Sequence, residues 1–237
     1  MQFTVHSDQA RGTHCSDARD VEERAQTRAE EVANAISHAL AFVLALSFWP
    51  SLMDAARERA GLAGQVAATV FCISMALQYA ASVCYHGLPR GLIKRRCQQV
   101  DHAAIFLFIA GTSMPFTLGQ PVPDAALQGL TTHTIGATLI WTLALAGAVL
   151  KLRGRLTDQR ISIALYLVFA AVVLAAAWPT VARLAPVSLL WLAGGGVAYA
   201  LGVAFFAFDA SLRFGHLVWH LFALAGSTCH ICAALMT

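Results

Sequence analysis

Two histidines at the start of the last apolar segment have the spacing of a metal-chelating pair. His216 and His220 lie four residues apart in the run FGHLVWH, residues 214–220. Four residues of an α-helix turn the chain by about 400° and rise about 6 Å, so both imidazoles lie on one helix face, one turn apart. Such a pair can chelate one metal ion, or the two rings can form hydrogen bonds to neighbouring helices.

Three further residues could complete a catalytic centre with this pair: His86, Ser82 four residues before it, and Asp101. Three neutral imidazoles around zinc leave a fourth position open for water, the pattern of catalytic zinc sites. Zinc lowers the pKa of that water toward about 7, which makes hydroxide available at neutral pH. Asp101 could orient a ligand histidine or take the proton from the water, and Ser82 could hold the water or donate to a developing oxyanion.

Each of these residues also has a purely structural interpretation. A helical serine such as Ser82 often bonds only to the backbone of the preceding turn. Asp101, at the start of an apolar segment, could be a favourable charge at the positive end of a helix dipole. Whether the residues form one site therefore depends on the elements that position them.

The composition indicates a membrane protein. Hydrophobic residues make up 58% of the 237 residues and charged residues 12%, far from the balance of soluble domains. Crossing a hydrocarbon core of roughly 30 Å takes about 20 apolar residues in a helix, and strands are a poor alternative because the segments lack the alternation of a barrel wall. The predicted fold is therefore an all-α bundle of seven transmembrane helices. We expect these helices at about 36–53, 62–85, 101–118, 132–150, 161–178, 186–208 and 215–236.

The basic residues predict the orientation of this bundle. Of the 16 lysines and arginines, thirteen fall in the N-terminal region and in the loops on the same side of the membrane, and three fall on the other side. Because positive residues concentrate in cytoplasmic loops, the N-terminus is predicted to be cytoplasmic and the C-terminus to lie outside. The net charge of +3 then reflects topology, and we expect no nucleic-acid partner.

This topology brings the candidate residues to one depth. His86 ends the second predicted helix, Asp101 opens the third, and His216 and His220 occupy the first turns of the seventh, all at the cytoplasmic face. That agreement favours a Zn²⁺ site with His86, His216 and His220 as ligands, supported by Asp101 and Ser82. His230 returns to nearly the same helix face but lies about 21 Å deeper than His216, so it cannot share the metal.

Two features lie before and at the start of the first predicted helix. Residues 1–28 have too few large apolar side chains to form a core, which predicts a disordered cytoplasmic tail before a transmembrane domain of residues 29–237. One polar stripe is formed by Glu31, Asn34 and His38, which are spaced three and then four residues apart. Glu30 directly precedes this stripe. Polar stripes that enter a membrane usually face the bundle interior, so this stripe could line the site or serve helix packing.

Several motifs resemble those of the bacterial hemolysin III proteins, which belong with the progestin and adipoQ receptors. They are EEVANAISH at 30–38, SVCYH at 82–86, DHAAI at 101–105 with GTSMPF at 111–116, GGVAY at 195–199, and HLVWHLF at 216–222. The resemblance implies a multi-pass protein of the bacterial inner membrane with a cytoplasmic N-terminus and a zinc ion near the cytoplasmic face. It assigns zinc to His86, His216 and His220, and the motif serine and aspartate to Ser82 and Asp101.

The resemblance also implies a class of activity. Relatives of the adiponectin receptors are associated with ceramide hydrolysis, which favours a zinc-dependent hydrolase of a lipid amide, with metal-bound water as nucleophile and a ceramide-like or fatty-acid ligand. The alternative is a receptor or regulator of membrane lipid homeostasis in which zinc is structural. A pore-forming haemolysin is a third interpretation, but no amphipathic pore-lining helix stands out. Ala39 and Met114 stand where we expect glycine and threonine, and neither adjoins the proposed ligands in sequence.

Overall fold

The computed structural model describes residues 26–121, 126–209 and 211–237, with the side chains of residues 126–133 left out. The described chain forms six α-helices and one short 3-10 turn, and no strand occurs in these ranges. They are α1 (Arg28–Gly87), α2 (Leu92–Ser113), the 3-10 turn (Met114–Phe116), α3 (Ala126–Leu152), α4 (Gln159–Val181), α5 (Pro186–Ala207) and α6 (Gly215–Leu235). Of the predicted tail, residues 1–28, the first 25 residues lie outside the described part of the chain.

Most of these helices have the length and composition of membrane spans. Among the described residues, five helices are long and apolar enough to cross a bilayer, namely α1, α3, α4, α5 and α6. Large apolar side chains such as Leu62, Val168 and Leu190 are exposed on the outer faces of the bundle, where lipid tails would cover them. The prediction of an all-α membrane protein is thus confirmed.

Helix α1 is a hairpin of two arms. Its 60 residues would span about 90 Å if straight, about three times the hydrocarbon thickness. The helical backbone breaks at Ala60 (φ −139°, ψ 21°) and Gly61 (φ 55°, ψ −132°), and glycine adopts a positive φ without the strain that a side chain would cause. Glu31 and His86, from opposite ends of the helix, lie 2.8 Å apart. The first arm (residues 28–59) and the second arm (residues 62–87) therefore run antiparallel.

Small residues and one arginine fix the bend of this hairpin. A Cβ atom at Gly64 would lie 2.1 Å from the carbonyl oxygen of Ala56, so only glycine lets the arms approach this closely. Arg59 reaches the C-terminal end of α6, where its guanidinium donates to the carbonyl oxygens of Thr237 at 2.7 Å and Ala234 at 2.9 Å. These bonds satisfy carbonyls that have no partner within the helix. The bend of α1 and the end of α6 thus lie at one end of the bundle.

Helix α2 begins nine residues before the predicted third span, at Leu92. The prediction followed apolar character, whereas the helical hydrogen bonds also run through the charged residues Lys94, Arg95 and Arg96. These charges explain why α2 is not among the five apolar spans. With the two arms of α1 counted separately, the described residues form seven helical segments in the order that the sequence predicts.

The helices pack around two apolar cores. One core contains Phe71, Met75 and Tyr79 of the second arm together with Ile231 of α6. The other contains Phe106 and residues of α3 and α4 that pack against α2. Helix α1 packs against α2 and α6, and α5 packs against α6. This packing brings both ends of α1, the charged start of α2 and the start of α6 together at the end of the bundle opposite the bend.

Candidate metal centre

Three buried histidines converge at this end of the bundle. His86, His216 and His220 each offer a ring nitrogen, and the three nitrogens lie within 4.8 Å of one another. The ring centroids are 5.0 Å apart for His86 and His216, 5.1 Å for His86 and His220, and 4.7 Å for His216 and His220. Within the described part of the chain, this three-histidine centre is the group of side chains with the spacing to hold a metal ion.

Two of these imidazoles bond to a carboxylate through Nδ1. The Nδ1 of His86 lies 2.8 Å from Oε2 of Glu31, and the Nδ1 of His216 lies 2.7 Å from Oδ2 of Asp209. A carboxylate can only accept, so each Nδ1 carries the proton and each Nε2 keeps its lone pair. Metal-bound histidines show this same second bond to a carboxylate, which orients the ring and increases its basicity.

The third imidazole is held by a serine of the first arm. The Nδ1 of His220 lies 3.0 Å from the Ser37 hydroxyl and 3.3 Å from the carbonyl oxygen of Asn34. Ser37 donates its own proton to that carbonyl at 2.8 Å. The Nδ1–H of His220 therefore donates to the Ser37 oxygen, and Nε2 is again left as the acceptor.

The donor set fits a metal ion. The Nε2 atom of His86 is buried and has no hydrogen-bond partner, although buried polar atoms in proteins are almost always paired. A cation bound by the three nitrogens would supply the missing partner. Neutral imidazoles suit zinc and several other transition metals, so the geometry accounts for a metal without identifying it.

Glu31 also joins the centre to the start of α2. Its Oε1 lies 2.9 Å from Nζ of Lys94, while its Oε2 receives the hydrogen bond from His86. Lys94 donates in addition to the carbonyl oxygens of Tyr85 at 2.8 Å and Leu88 at 3.2 Å. These backbone bonds hold the lysine in place, and with it the carboxylate that orients His86.

The start of α6 is fixed by contacts to the start of α1. Glu30 forms a capping box with Thr27, and its Oε1 accepts a hydrogen bond from the backbone N–H of Phe214 at 2.8 Å. Phe214 adopts a left-handed conformation, with φ of 59°. A Cβ atom at Gly215 would lie 3.1 Å from the Cα atom of Asp209, so glycine there lets the loop approach closely enough for Asp209 to reach His216.

Ser82 lies one helical turn from His86, and Asp101 lies next to Ser82. Ser82 is fully buried. Its hydroxyl faces the Asp101 carboxyl group, although no hydrogen bond of ordinary length joins the two. Asp101 is also buried and accepts a hydrogen bond from Nε2 of Gln78 at 2.9 Å. Of the two roles considered for Asp101, orientation of a ligand histidine belongs instead to Glu31, Asp209 and Ser37, since these residues occupy the three Nδ1 atoms.

The polar stripe of the first arm lines the centre. Glu31 bonds to His86, and the backbone of Asn34 contacts His220. The His38 ring stacks on the His220 ring with 3.5 Å between centroids. His230 lies elsewhere in the bundle, where its ring packs against Tyr199, and is not part of the centre.

Several residues of the site escaped the sequence interpretation, namely Ser37, Gln78, Lys94 and Asp209. A signal for Asp209 existed: it stands in the loop just before His216, and carboxylates commonly support metal-bound histidines. Gln78 also left a signal, because it continues the four-residue spacing of Ser82 and His86 along one helix face. Nothing in the sequence marks Ser37 as the partner of His220, because that contact depends on how two helices are rotated about their axes.

The fold and the centre together define a class of protein: a multi-pass α-helical membrane protein with a buried three-histidine centre at one end of its bundle. The profile of the family described as Haemolysin-III related matches residues 26–231. The chain is 33% identical over 198 residues to Hemolysin-3 of Bacillus cereus, covering 84% of this chain and 87% of that protein. It is 35% identical over 203 residues to a Hemolysin-3 homolog of Bacillus subtilis (strain 168), covering 84% and 89%. No solved structure gives a significant match.

The chain therefore belongs to the hemolysin III family, as its motifs predicted. The family profile covers both arms of α1 and most of α6, and so it includes all three histidines of the centre. Membership and the apolar helices also confirm that the protein is a multi-pass membrane protein.

Proposed function

We propose that this protein is a zinc-dependent hydrolase of a lipid amide in the bacterial inner membrane. The observation that carries the proposal is the position of Ser82 and Asp101. Both are buried, with Ser82 one helical turn from His86 and Asp101 next to Ser82. The bonds that orient the three histidines are already supplied by other residues. A purely structural metal site would not require an additional serine and carboxylate inside an apolar bundle, where unpaired polar groups are costly.

Zinc is the metal that this donor set favours. Three imidazole nitrogens, with no fourth ligand among the described side chains, match the pattern of catalytic zinc sites. When bound, zinc supplies a Lewis acid and an activated water at neutral pH. The partners of the three Nδ1 atoms orient the ligand rings, and the two carboxylates also increase the basicity of His86 and His216.

Asp101 and Ser82 have separate roles in the proposed reaction. Asp101 is the general base, and the hydrogen bond from Gln78 holds its carboxylate in place. The Ser82 hydroxyl, which faces Asp101 without a hydrogen bond of ordinary length, donates to the carbonyl oxygen of the lipid as negative charge develops there. Burial of both residues excludes bulk water, which strengthens each of these interactions.

The proposal includes the orientation of the bundle. Seven crossings, with a cytoplasmic N-terminus and an outside C-terminus, agree with the bias of basic residues. The three-histidine centre then lies near the cytoplasmic face, and the lipid's apolar chain lies along the bundle while its polar end meets the centre. In this arrangement the first arm of α1 enters the membrane from the cytoplasmic side.

Purified zinc-loaded protein tests this function directly. We expect release of fatty acid from at least one ceramide-like or acyl-amide lipid, measured by mass spectrometry. Asp101→Asn should reduce the release by about a hundredfold or more, the usual range for a general base, while the zinc content stays unchanged. Absence of release from every such lipid would refute the hydrolase.

A structural metal in a regulator of membrane lipid homeostasis is the second candidate. It is favoured by the way the centre and its partners tie both arms of α1 to α6 and its preceding loop. This candidate expects Asp101→Asn to leave zinc, fold and phenotype intact, whereas His216→Ala releases zinc and lowers the melting temperature. Dye leakage from liposomes that contain the protein would instead support pore formation.

A further inference from the structure

One face of the second arm carries three polar side chains that each keep an unpaired buried atom. Gln78, Ser82 and His86 follow one another at four-residue intervals, so they lie one above the other. Oε1 of Gln78, Oγ of Ser82 and Nε2 of His86 are all buried without a hydrogen-bond partner. The proposed function assigns roles to Oγ of Ser82 and Nε2 of His86 but none to Oε1 of Gln78.

The orientation of the Gln78 amide follows from its partner. Its nitrogen donates to Oδ1 of Asp101 at 2.9 Å, and a carboxylate oxygen can only accept, so the atom that faces it is the nitrogen. The oxygen of the same amide must then point elsewhere. Gln78 is 6% exposed, which leaves this acceptor in the bundle interior without the donor that a buried carbonyl normally has.

Among the described residues, those around Gln78 do not supply that donor. Asp101 is engaged through the amide nitrogen. The Ser74 hydroxyl, one turn deeper on the same face, donates to the carbonyl oxygen of Phe71 at 2.9 Å. The Tyr79 hydroxyl is paired with Ser227. The missing donor is therefore expected from a bound molecule.

We infer that Gln78 is a specificity-determining residue whose Oε1 accepts a hydrogen bond from an N–H or O–H group on the uncharged polar end of the lipid. The inference rests on the proposed function, because it places the polar end of a lipid beside Asp101. Gln78 lies two helical turns, about 12 Å along the helix axis, from His86, but its amide bonds to the Asp101 carboxyl group. Its contact is therefore with the part of the polar end that lies on the Asp101 side of the reacting carbonyl. An ionised fatty acid has no donor to offer there.

A matched pair of lipids tests this contact by binding. N-(2-hydroxyethyl)dodecanamide has one N–H and one O–H donor, and N-methyl-N-(2-methoxyethyl)dodecanamide has the same skeleton with both donors methylated. For the zinc-loaded wild-type protein we expect about tenfold tighter binding of the first lipid, the effect of one buried hydrogen bond. Gln78→Leu should bind both lipids equally, and the unbranched Gln78→Met should do the same with less disturbance of packing.

Ser74→Ala is the matched control, because it removes a buried polar group from the same helix face without touching Asp101, and it should keep the tenfold preference. Zinc content is measured for every variant. Equal binding of the two lipids by the wild type, or a preference that survives in either Gln78 variant, would overturn the inference. Fatty-acid release is measured separately. If the protein prefers the first lipid but hydrolyses neither, the hydrolase is refuted and the inference about Gln78 stands.

Discussion

The imidazole ring of His38 lies flat against that of His220, with 3.5 Å between centroids and 8° between planes. His38 is buried, and neither of its ring nitrogens has a hydrogen-bond partner. Its contact with the centre is therefore through the face of the ring. Because Ser37 holds the Nδ1 edge of the same His220 ring, one turn of the first arm fixes both the plane and the rotation of that ligand.

Substitution of His38 should separate ring packing from metal binding. His38→Phe keeps a flat ring against His220, so we expect zinc content close to that of the wild type. His38→Ala leaves a cavity, which should lower the free energy of unfolding by about 3 kcal/mol and weaken zinc binding. Thermal unfolding in detergent and zinc titration measure the two effects. If His38→Phe lost zinc as completely as His216→Ala, His38 would be a ligand rather than a packing residue.

The three ligands can be tested by metal analysis of purified variants. Replacing His86, His216 or His220 by alanine should each reduce zinc from about one ion per chain to nearly none, because two imidazoles hold zinc far less tightly than three. His230→Gln is the control, since this buried histidine packs against Tyr199 away from the centre. Equal zinc in the wild type and in all three alanine variants would eliminate the site.

The sequence predicted the parts of this site that depend on depth in the membrane. Apolar segments and basic loops are counted along the chain, and together they were enough to bring His86, Asp101, His216 and His220 to one end of a helical bundle. The structure groups the three histidines there. Helix rise also excluded His230, because distance along an axis follows directly from residue number.

The parts of the fold and site that were not predicted depend on the rotation of helices about their axes and on the path of the loops. Asp209 reaches His216 because the chain turns at Phe214 and the loop before α6 packs closely against Gly215. The length of the first arm was also underestimated, since the charged residues that follow residue 53 resemble an ordinary loop. Its helical hydrogen bonds nevertheless run through them up to the break at Ala60 and Gly61.

The bend of α1 gives a prediction about stability. A Cβ atom at Gly64 would lie 2.1 Å from the carbonyl oxygen of Ala56, and backbone at this distance cannot move aside without separating the arms. Gly64→Ala should therefore lower the free energy of unfolding by about 1–3 kcal/mol or more, as overpacking does. A Cβ atom at Gly87, in the same helix, meets nothing within 4 Å, so Gly87→Ala should be tolerated. Thermal unfolding in detergent compares the two variants, and similar melting temperatures would contradict the tight hairpin.

The bond between Asp209 and His216 gives a prediction about zinc affinity. Asp209→Asn keeps the size of the side chain and an oxygen acceptor at 2.7 Å from Nδ1, but it removes the negative charge that makes the imidazole a stronger ligand. Loss of such a supporting carboxylate typically weakens metal binding by about 10–100-fold, and competition with a chromophoric chelator measures this range. Asp158→Asn is the matched control, because Asp158 caps α4 and asparagine caps helices equally well. Wild-type affinity in Asp209→Asn would mean that the carboxylate only anchors the loop, and the orientation of His216 would then have to come from its packing against Phe206.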